Sequence, residues 1–274
     1  MGVLYIVATP IGNLEDITLR ALRILKEVGL IAAEDTRKTR RLLAAYGIKT
    51  ASTSYHEHNS KAKLGYLLDY LQDKDVALVS EAGMPGLSDP GYELIVAAAQ
   101  RGIPVVPIPG PSAVVTALVV SALPTHQFTY LGFLPRKKGE RLRLLKSIAS
   151  EPRTLVALEA PHRLLSTLND LAEVLGDRNI AIGRELTKVY EEVFRSTISQ
   201  AIEHFQQPRG EFTLVIEGET GAKKPVSTSE VEPELRHLYH QGATAKEAIS
   251  RLSLTTGLSK KELYRAWLRV KGSE

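Results

Sequence analysis

Short apolar runs alternate with amphipathic stretches over the first 120 residues of the chain. Each run is bounded by turn residues, which is typical of a strand buried on both faces. The four runs are Val3–Ala8, Leu30–Ala33, Val76–Ser80 and Val105–Ile108. Because strands that alternate with helices pair in parallel, we expect an α/β domain over residues 1–122.

Two of the intervening stretches place apolar residues on one face of a helix. One set is Leu19, Leu22, Leu25 and Val28, and the other is Leu64, Leu67, Leu68 and Leu71. Each set predicts a helix that packs this face against the sheet.

A second α/β domain is predicted for residues 123–219. Its expected helices are Lys138–Ile148 and Arg163–Leu175. Its expected strands are Phe128–Leu134, Leu155–Glu159, Ile180–Arg184, Val189–Phe194 and Phe212–Ile216. The later strands follow one another closely along the chain, so part of this sheet is expected to be antiparallel.

The last part of the chain predicts a small helical appendage at residues 230–274, after a polar linker at residues 219–229. A first helix is expected from Glu232 to His240. Two capping boxes, at residues 244–247 and 259–262, open two further helices. The outline is that of a helix-turn-helix element.

The net charge of +4 is unevenly distributed. Residues 220–274 hold ten Lys or Arg and six Asp or Glu, so they carry the whole excess and the rest of the chain is neutral. A neutral body with a basic tail fits an enzyme core joined to an appendage that binds a polyanion. A basic, solvated surface without a partner explains the same distribution.

Composition excludes several kinds of protein. The chain has no cysteine, which rules out disulfides, thiolate metal ligands and cysteine nucleophiles. Its apolar runs fall short of the roughly 20 residues that span a bilayer. Met1 leads straight into a strand-like run, so no secretory signal is expected. We therefore expect a cytoplasmic protein without membrane contact.

Four loops rich in glycine and proline follow predicted strands, at residues 9–13, 81–91, 107–113 and 158–163. Ligands of open α/β sheets bind at the edge where such loops meet. Glycine lets backbone approach a ligand closely, and proline holds the backbone in place. One such loop is usually only a tight turn, but four at one edge favour a binding cleft.

The loop sequences narrow the choice of ligand. The chain lacks a phosphate-binding Gly-x-x-x-x-Gly-Lys-Ser/Thr loop and a Gly-x-Gly-x-x-Gly loop after its first strand. Basic residues are absent around Gly83 and Gly110. These loops suit an adenosine that bears a sulfonium group. His56 and His58 alternate as metal ligands can, but no third ligand stands at a recognisable spacing, so no metal is expected.

Two basic clusters, at residues 37–41 and 136–141, are candidates for phosphate contacts. A charged helix face is the alternative for each cluster. The predicted RNA-binding residues are Arg37, Arg40, Arg41, His56, Arg136, Lys137, Lys260, Lys261 and Arg265.

Taken together, the motifs resemble the tetrapyrrole methylase superfamily, and within it the branch that methylates the ribose 2′ oxygen of ribosomal RNA. The resemblance covers about the first 218 residues. Its motifs lie at residues 4–14, 33–37, 54–59, 88–92, 109–113, 132–135, 159–163, 184–188 and 210–213. The chain departs from the family pattern at Glu81, where Asp is usual, and at residues 84–88, where Met-Pro-Gly-Leu-Ser replaces Thr-Pro-Leu-Ile-Ser.

The resemblance implies two α/β domains with S-adenosylmethionine bound in the cleft between them, and a homodimer. It implies that the substrate is a cytidine in the decoding region of 16S rRNA, methylated on its 2′ oxygen. The residues it places at the cofactor are Pro10, Ala82, Gly83, Met84, Pro85, Ser112, Ala113, Phe133, Leu134, Ala160, Pro161, Glu211, Phe212 and Thr213.

Methyl transfer from a sulfonium is an in-line displacement, which requires alignment of the reacting atoms. A hydroxyl is a weak nucleophile, so a base or a cation beside it should help. The candidates, which the sequence does not rank, are Glu159, His162, Glu185, Lys188 and Asp35, with Arg37 and Arg163 as phosphate or oxyanion partners. Salt bridges are the alternative role for each of them.

Two other functions fit the same features. A C-methylase of a tetrapyrrole substrate shares the fold, but it gives no reason for the basic tail. An rRNA-binding assembly factor without enzymatic activity explains the tail, and cofactor binding would separate it from either enzyme.

Overall fold

The computed structural model describes residues 1–220, 228–256 and 258–272 of the 274-residue chain. The chain divides into two compact units, Met1–Glu217 and Gly218–Glu274. Most of the predicted linker, residues 221–227, lies outside the described residues. Within the described ranges, no helix combines the length and the apolar character that crossing a membrane requires.

The first sheet contains the four strands that the apolar runs predict, together with one that they do not. Its strands are β1 (Leu4–Val7), β2 (Leu30–Ala33), β3 (Ser52–Ser54), β4 (Val76–Val79) and β5 (Val105–Ile108). They are all parallel, in the order β3-β2-β4-β1-β5. The polar sequence Ser-Thr-Ser hides β3 from a hydrophobicity pattern, because this short strand lies at the edge of the sheet.

Five helices belong to this part of the chain. They are α1 (Leu19–Glu27), α2 (Thr36–Ala45), α3 (Ser60–Tyr70), α4 (Tyr92–Gln100) and α5 (Ala113–Val120). The predicted buried face of α3 is confirmed, since Leu67, Leu68 and Leu71 are buried.

The predicted face of α1 is partly wrong. Leu19 is 85% exposed, and the buried residues are Ala21, Ile24, Leu25 and Val28. Steps of three residues turn by about 300°, so the predicted set drifts around the helix. The observed set mixes steps of three and four and stays on one face.

The second sheet is mixed, as the sequence predicts. Its strands are β6 (Phe128–Phe133), β7 (Thr154–Glu159), β8 (Asn179–Arg184), β9 (Glu192–Thr197) and β10 (Phe212–Ile216). The order is β6-β7-β10-β8-β9, with β6 and β7 parallel and every other pair antiparallel. The helices here are α6 (Lys138–Ser147), α7 (Leu164–Leu175) and α8 (Ile198–His204).

Strand β9 begins three residues later than predicted. Val189 and Tyr190 are exposed instead of lying in the sheet. The preceding turn contains Glu185 and Thr187, which both adopt positive φ angles of 49° and 69°. The apolar Val-Tyr pair therefore belongs to a tight turn at the start of an edge strand.

Helix α5 connects the two sheets. It follows β5 directly in the chain, and its buried Val114 and Leu118 pack against Val156, Ala181 and Val215 of the second sheet. The two predicted α/β domains thus each contain one sheet within a single compact unit. Their boundary at residues 122 and 123 stays a prediction.

A buried ion pair joins α6 to α7. Arg141 donates from Nε to Asp170 Oδ2 at 2.7 Å, and both side chains are only 4% exposed. The same guanidinium donates to the carbonyls of Pro135 and Arg136, at 3.2 and 3.4 Å. The basic cluster predicted at residues 136–141 is therefore divided, with Arg136 and Lys137 exposed and Arg141 inside the fold.

The C-terminal unit is described by α9 (Thr228–His240), α10 (Ala245–Thr256) and α11 (Lys260–Gly272). Both predicted capping boxes are confirmed. Thr244 and Glu247 exchange backbone-to-side-chain hydrogen bonds of 2.9 and 3.3 Å, and Ser259 and Glu262 do so at 2.9 and 3.2 Å. Helix α9 begins four residues before the predicted start.

Trp267 lies in the core of the C-terminal unit. It is 5% exposed, and its ring meets that of Tyr239 edge-on with 5.4 Å between centroids. The other buried members of this core include Val231, Leu235, Leu252, Leu263 and Val270. Tyr264, in contrast, is half exposed.

Removal of one partner from the Arg141–Asp170 pair leaves a buried charge without compensation. We expect Asp170→Ala to lower the free energy of unfolding by about 3 kcal/mol. Urea denaturation followed by circular dichroism measures this loss. Arg143→Ala, at an exposed position of the same helix, serves as the control and should change stability by less than about 0.5 kcal/mol. Equal stabilities for the two variants would contradict a structural role for the pair.

Candidate active site

A cavity of about 480 Å³ lies where the carboxyl ends of the first sheet face the second sheet. Its floor is formed by the loops that follow β1, β2, β4 and β5, and its roof by residues of β6, β7, β8 and β10. All four predicted loops supply residues to this cavity or to its immediate support. The structure therefore brings together the glycine- and proline-rich segments that the sequence singles out.

Backbone hydrogen bonds tie the first loop to the loop after β4. The Thr9 amide donates to the Gly83 carbonyl and the Gly83 amide donates to the Thr9 carbonyl, both at 2.9 Å. Gly83 has a φ of 79°, a conformation that favours glycine. In the third loop, Ser112 accepts a hydrogen bond from the Val115 amide and caps α5, as predicted for its hydroxyl.

Most of the residues predicted to bind the cofactor line this cavity. Those that do are Ala82, Gly83, Met84, Ser112, Ala113, Phe133, Ala160, Pro161, Glu211, Phe212 and Thr213. Pro10 lies in a smaller neighbouring pocket with Leu14 and Lys38. Pro85 and Leu134 are buried, the latter in the core of the second sheet. Successive side chains of an extended segment point to opposite sides, so neighbours in one motif do not share one environment.

Glu159, at the end of β7, lines the cavity but its carboxylate is fully engaged. Oε1 accepts from the Ala160 amide at 2.9 Å and lies 3.3 Å from Arg163 Nε, and Oε2 accepts from the Thr167 hydroxyl at 2.6 Å. Since the side chain is also buried, we infer that it shapes the loop that follows it.

Arg163 supports the same loop from outside the cavity. Its Nη2 donates to the carbonyls of Leu134 and Pro135 at 2.5 and 3.1 Å. Because the side chain is mostly buried and also lies beside the Glu159 carboxylate, it is poorly placed to contact a phosphate or an oxyanion. The neighbouring His162 is exposed and does not line the cavity.

Glu185 and Lys188 form an ion-pair cluster at the cavity rim with Glu211. Lys188 Nζ lies 2.9 Å from Glu185 Oε1 and 3.1 Å from Glu211 Oε2. Burial alone would lower the pKa of Lys188, but the hydrogen bonds to both carboxylates outweigh it and raise the pKa. Burial likewise acts to raise the pKa of Glu185, and its bonds from Lys188 and the Glu211 amide reverse this and lower it. Both groups therefore stay charged at neutral pH.

Asp35 serves as the N-cap of α2. It accepts from the Arg37 amide at 2.7 Å, and its Oδ2 lies 3.1 Å from Arg37 Nη2. The hydrogen bonds from the Arg37 side chain and backbone lower the pKa of Asp35 to about 2. A carboxylate with so low a pKa is a weak base, and it does not line the cavity.

The cavity also contains acidic groups to which the sequence reading assigned no role, namely Glu34, Glu81 and Asp89. Burial raises the pKa of Asp89 to about 6, the nearby Glu34 adds to this shift, and the Ser80 hydroxyl opposes it. Burial also raises the pKa of Glu34. The only signal for these three residues in the sequence was their position, since each of them follows a buried strand of the first sheet.

His56 and His58 lie beside the cavity in a separate pocket that Glu34 and Glu81 also line. Their ring centroids are 6.0 Å apart. In the part of the chain that the structure describes, no three His, Cys, Asp or Glu side chains are grouped as a metal site requires.

The residues predicted to bind RNA are mainly at the surface. Arg37 is exposed, although it is paired with Asp35, and His56 is half-buried. The remaining exposed members are Arg40, Arg41, Arg136, Lys137, Lys260, Lys261 and Arg265.

A comparison with family models identifies the chain. The model of the tetrapyrrole (corrin/porphyrin) methylases matches residues 3–202. The chain belongs to the tetrapyrrole methylase family. The expected family, the α/β architecture and the enzyme class of methyltransferase are thereby confirmed.

Relatives within the tetrapyrrole methylases carry one common name, ribosomal RNA small subunit methyltransferase I. That of Halalkalibacterium halodurans is 47% identical over 96% of this chain and 93% of its own length. That of Escherichia coli O157:H7 is 41% identical over 99% of this chain and 96% of its own length. That of Thermotoga maritima is 52% identical and is covered to 99%, but it spans only 80% of this chain.

Two solved structures share the fold. Uroporphyrin-III C-methyl transferase from Thermus thermophilus, complexed with S-adenyl homocysteine, is 21% identical with a TM-score of 0.57, over 79% of this chain and 97% of that one. Diphthine synthase is 14% identical with a TM-score of 0.62, over 79% of this chain and 90% of that one.

The turn at Glu185 depends on glycine at position 210 in this methylase. Gly210 has a φ of 94°, and a Cβ there would lie 2.5 Å from Glu185 Cγ. We expect Gly210→Ala to destabilise the protein by the cost of the left-handed backbone and a further 1 kcal/mol or more, roughly, from overpacking.

The control for this prediction is Gly47→Ala. Gly47 has a similar φ of 63° with nothing within 4 Å of its Cβ position, so only the backbone cost applies. Urea denaturation of both variants gives the difference. Equal losses would show that Glu185 moves aside freely and that the turn is not fixed by Gly210.

Proposed function

We propose that this chain transfers a methyl group from S-adenosylmethionine to the ribose 2′ oxygen of a cytidine in the decoding region of 16S rRNA. The observation that carries the proposal is the near full-length similarity to proteins named ribosomal RNA small subunit methyltransferase I. The chemistry of the cavity supports the methyl donor independently of those names.

The charge of the cavity suits a cationic ligand. Five of its lining residues carry carboxylates, namely Glu34, Glu81, Asp89, Glu159 and Glu211, and none of the lining residues described is Lys or Arg. Three of these carboxylates are paired with Arg163, Lys188 and Lys38, so the excess negative charge comes from Glu34 and Asp89. This excess disfavours a nucleotide polyphosphate. A sulfonium cation attached to an adenosine is attracted by it.

The shape of the cavity suits the same ligand. Ile11, Val114, Phe133 and Leu158 supply apolar surface, and the Gly83 and Ser112 loops supply backbone groups. When bound, S-adenosylmethionine supplies an electrophilic methyl group. The residues of this chain hold the reacting groups in line and exclude water, which accounts for a large part of the rate in such reactions.

The RNA would be held by basic side chains outside the cavity. Those of the C-terminal unit project from α11, whose apolar face is occupied by its own core. The clusters around Arg40 and Arg136 are further candidates. Because the substrate is ribosomal RNA, we place the enzyme in the cytoplasm.

We also infer a homodimer. Val115 and Val119, one turn apart on α5, are 52% and 64% exposed and form an apolar strip suited to a second copy. The two rival functions are less well supported. The relatives that are 41% to 47% identical over nearly the whole chain are named as rRNA methyltransferases, whereas the C-methyl transferase structure is only 21% identical.

Methylation of small ribosomal subunits tests the proposal. Subunits from a strain that lacks this protein should accept one methyl group on a cytidine ribose, in the presence of a chelator, and mass spectrometry locates it. Ser112→Trp fills the cavity and should abolish both cofactor binding and methylation. Ser112→Ala loses the same helix cap without filling the cavity, at about 1 kcal/mol of stability, and should keep both.

Failure of the unaltered protein to methylate any subunit preparation while it binds S-adenosylmethionine would contradict the RNA substrate. Undiminished cofactor binding by a folded Ser112→Trp variant would show that the methyl donor binds elsewhere.

The contribution of α11 to RNA binding is measured separately. We expect replacement of Lys260, Lys261 and Arg265 by alanine to weaken rRNA binding and to flatten its dependence on salt. Each lost phosphate contact removes about 0.7 to 0.9 from the slope of log K against log salt. Cofactor affinity should not change. The control is the triple replacement of Lys26, Lys49 and Lys61, exposed residues outside both predicted clusters. An unaltered slope in the α11 variant would rule out this surface.

A further inference from the structure

We propose that Asp89 is the catalytic base of this enzyme and accepts the proton of the acceptor hydroxyl. The proposal rests on the function proposed above and assigns one of its reacting groups. Asp89 was not among the candidates that the sequence suggested, and four observations on the cavity point to it.

The first observation is the position of its loop. Asp89 lines the cavity and follows Ser88, which has a φ of 64°, an uncommon conformation for a residue other than glycine. The Ser88 hydroxyl forms a 2.8 Å hydrogen bond with the Tyr130 hydroxyl on β6. A Cβ at Gly132 would lie 2.9 Å from Ser88 Oγ, so only glycine leaves room for this contact. Asp89 is thus held on a strained loop that is anchored to the opposite sheet, and such strain is concentrated at functional sites.

The second observation is that the other carboxylates of the cavity have strong partners. Glu159 is engaged by Arg163, Thr167 and a backbone amide, as described above. Glu211 is paired with Lys188, and Glu81 with Lys38.

The third observation concerns the two acidic groups that remain. Glu34 accepts a hydrogen bond from the Glu81 amide at 3.0 Å. The Ser80 hydroxyl lies near Asp89 and acts to lower its pKa, but it donates to the carbonyls of Ala82 and Gly83, both at 3.3 Å. None of the ion pairs described involves Asp89. Its carboxylate therefore keeps the most capacity to accept a proton from a bound hydroxyl.

The fourth observation is the electrostatic setting. The groups that face Asp89 are Glu34, Glu81, Ser80 and Tyr130. Burial and the two glutamates raise its pKa to about 6, and the Ser80 hydroxyl limits the rise. A base of this strength is ionised at neutral pH and accepts a proton more readily than an ordinary carboxylate does.

The proposed step balances without any further reactant. The O–H bond of the acceptor breaks, and its proton goes to the Asp89 carboxylate. An electron pair of the acceptor oxygen forms the new C–O bond to the methyl carbon. The C–S bond of the donor breaks, and its electron pair stays on sulfur, which becomes an uncharged thioether. Solvent then takes the proton from Asp89.

Single-turnover methylation of small subunits by the full-length protein provides the test. We expect Asp89→Asn to slow the step at least a hundredfold while S-adenosylmethionine affinity, measured by calorimetry, stays within about threefold. Asp73→Asn, an exposed residue outside the cavity, is the matched control and should retain the full rate.

The pH profile separates a base from a structural residue. The rate of the unaltered enzyme should fall tenfold for each pH unit below about pH 6, because a protonated Asp89 can no longer take the proton of the substrate hydroxyl. Glu34→Gln removes a negative charge that raises the pKa of Asp89, so the acidic limb should move to lower pH. An acidic limb that does not move with Glu34→Gln would overturn the proposal.

The remaining outcomes are also decisive. If the unaltered protein does not methylate subunits, the proposed function fails, and the assignment of Asp89 falls with it. If the unaltered protein is active and Asp89→Asn keeps its rate, only the assignment fails. Loss of cofactor binding in Asp89→Asn would likewise overturn it, by making Asp89 a ligand of the methyl donor. If Glu34→Gln instead abolishes the pH-dependent limb, Glu34 is the base.

Discussion

The cavity exists because one apolar helix packs against the second sheet while the chain ties it to the first. Helix α5 begins at the loop after β5, and its Val114 and Leu118 contact Val156 and Val215 across the molecule. A rigid helix of eight residues thereby fixes how far the second sheet stands from the loops of the first. The two backbone hydrogen bonds between Thr9 and Gly83 then hold the loops after β1 and β4 next to each other. The packing of α5 therefore creates the cavity, and the polar groups of the site line the space that this packing leaves.

Patterns that depend on repeated burial could be predicted from the sequence. The buried strands of the first sheet, the mixed character of the second and both capping boxes all have local signals several residues long. Strand β3 has none, because Ser-Thr-Ser at a sheet edge contacts little of the core. The buried face of α1 was predicted only in part. Leu25 and Val28 are buried but Leu19 is exposed, because a set spaced in steps of three residues drifts around the helix.

Within the site, the location of the loops could be predicted better than the charge state and the partners of single side chains. The loops at the carboxyl edge were recognisable from their glycines and prolines. The properties of single residues were not, because they depend on partners from distant segments. Arg141 resembles its exposed neighbours in the sequence, yet Asp170 on another helix holds it inside. The pKa of Asp89 is likewise set first by its burial and then by Glu34 and Ser80, which follow different strands, and no local sequence pattern records these neighbours.

The outer strands of both sheets share a property that bears on self-association. Strand β3 is only three residues long, β5 contains Pro107, β6 has a bulge between Tyr130 and Gly132, and β9 places Glu192 and Arg195 along its length. Each of these features discourages the addition of another strand. Aggregation by pairing of edge strands, to which open sheets are prone, is thus disfavoured at all four edge strands. A second copy of the chain therefore has to associate through side-chain contacts, and neither sheet is extended by a strand of the other copy.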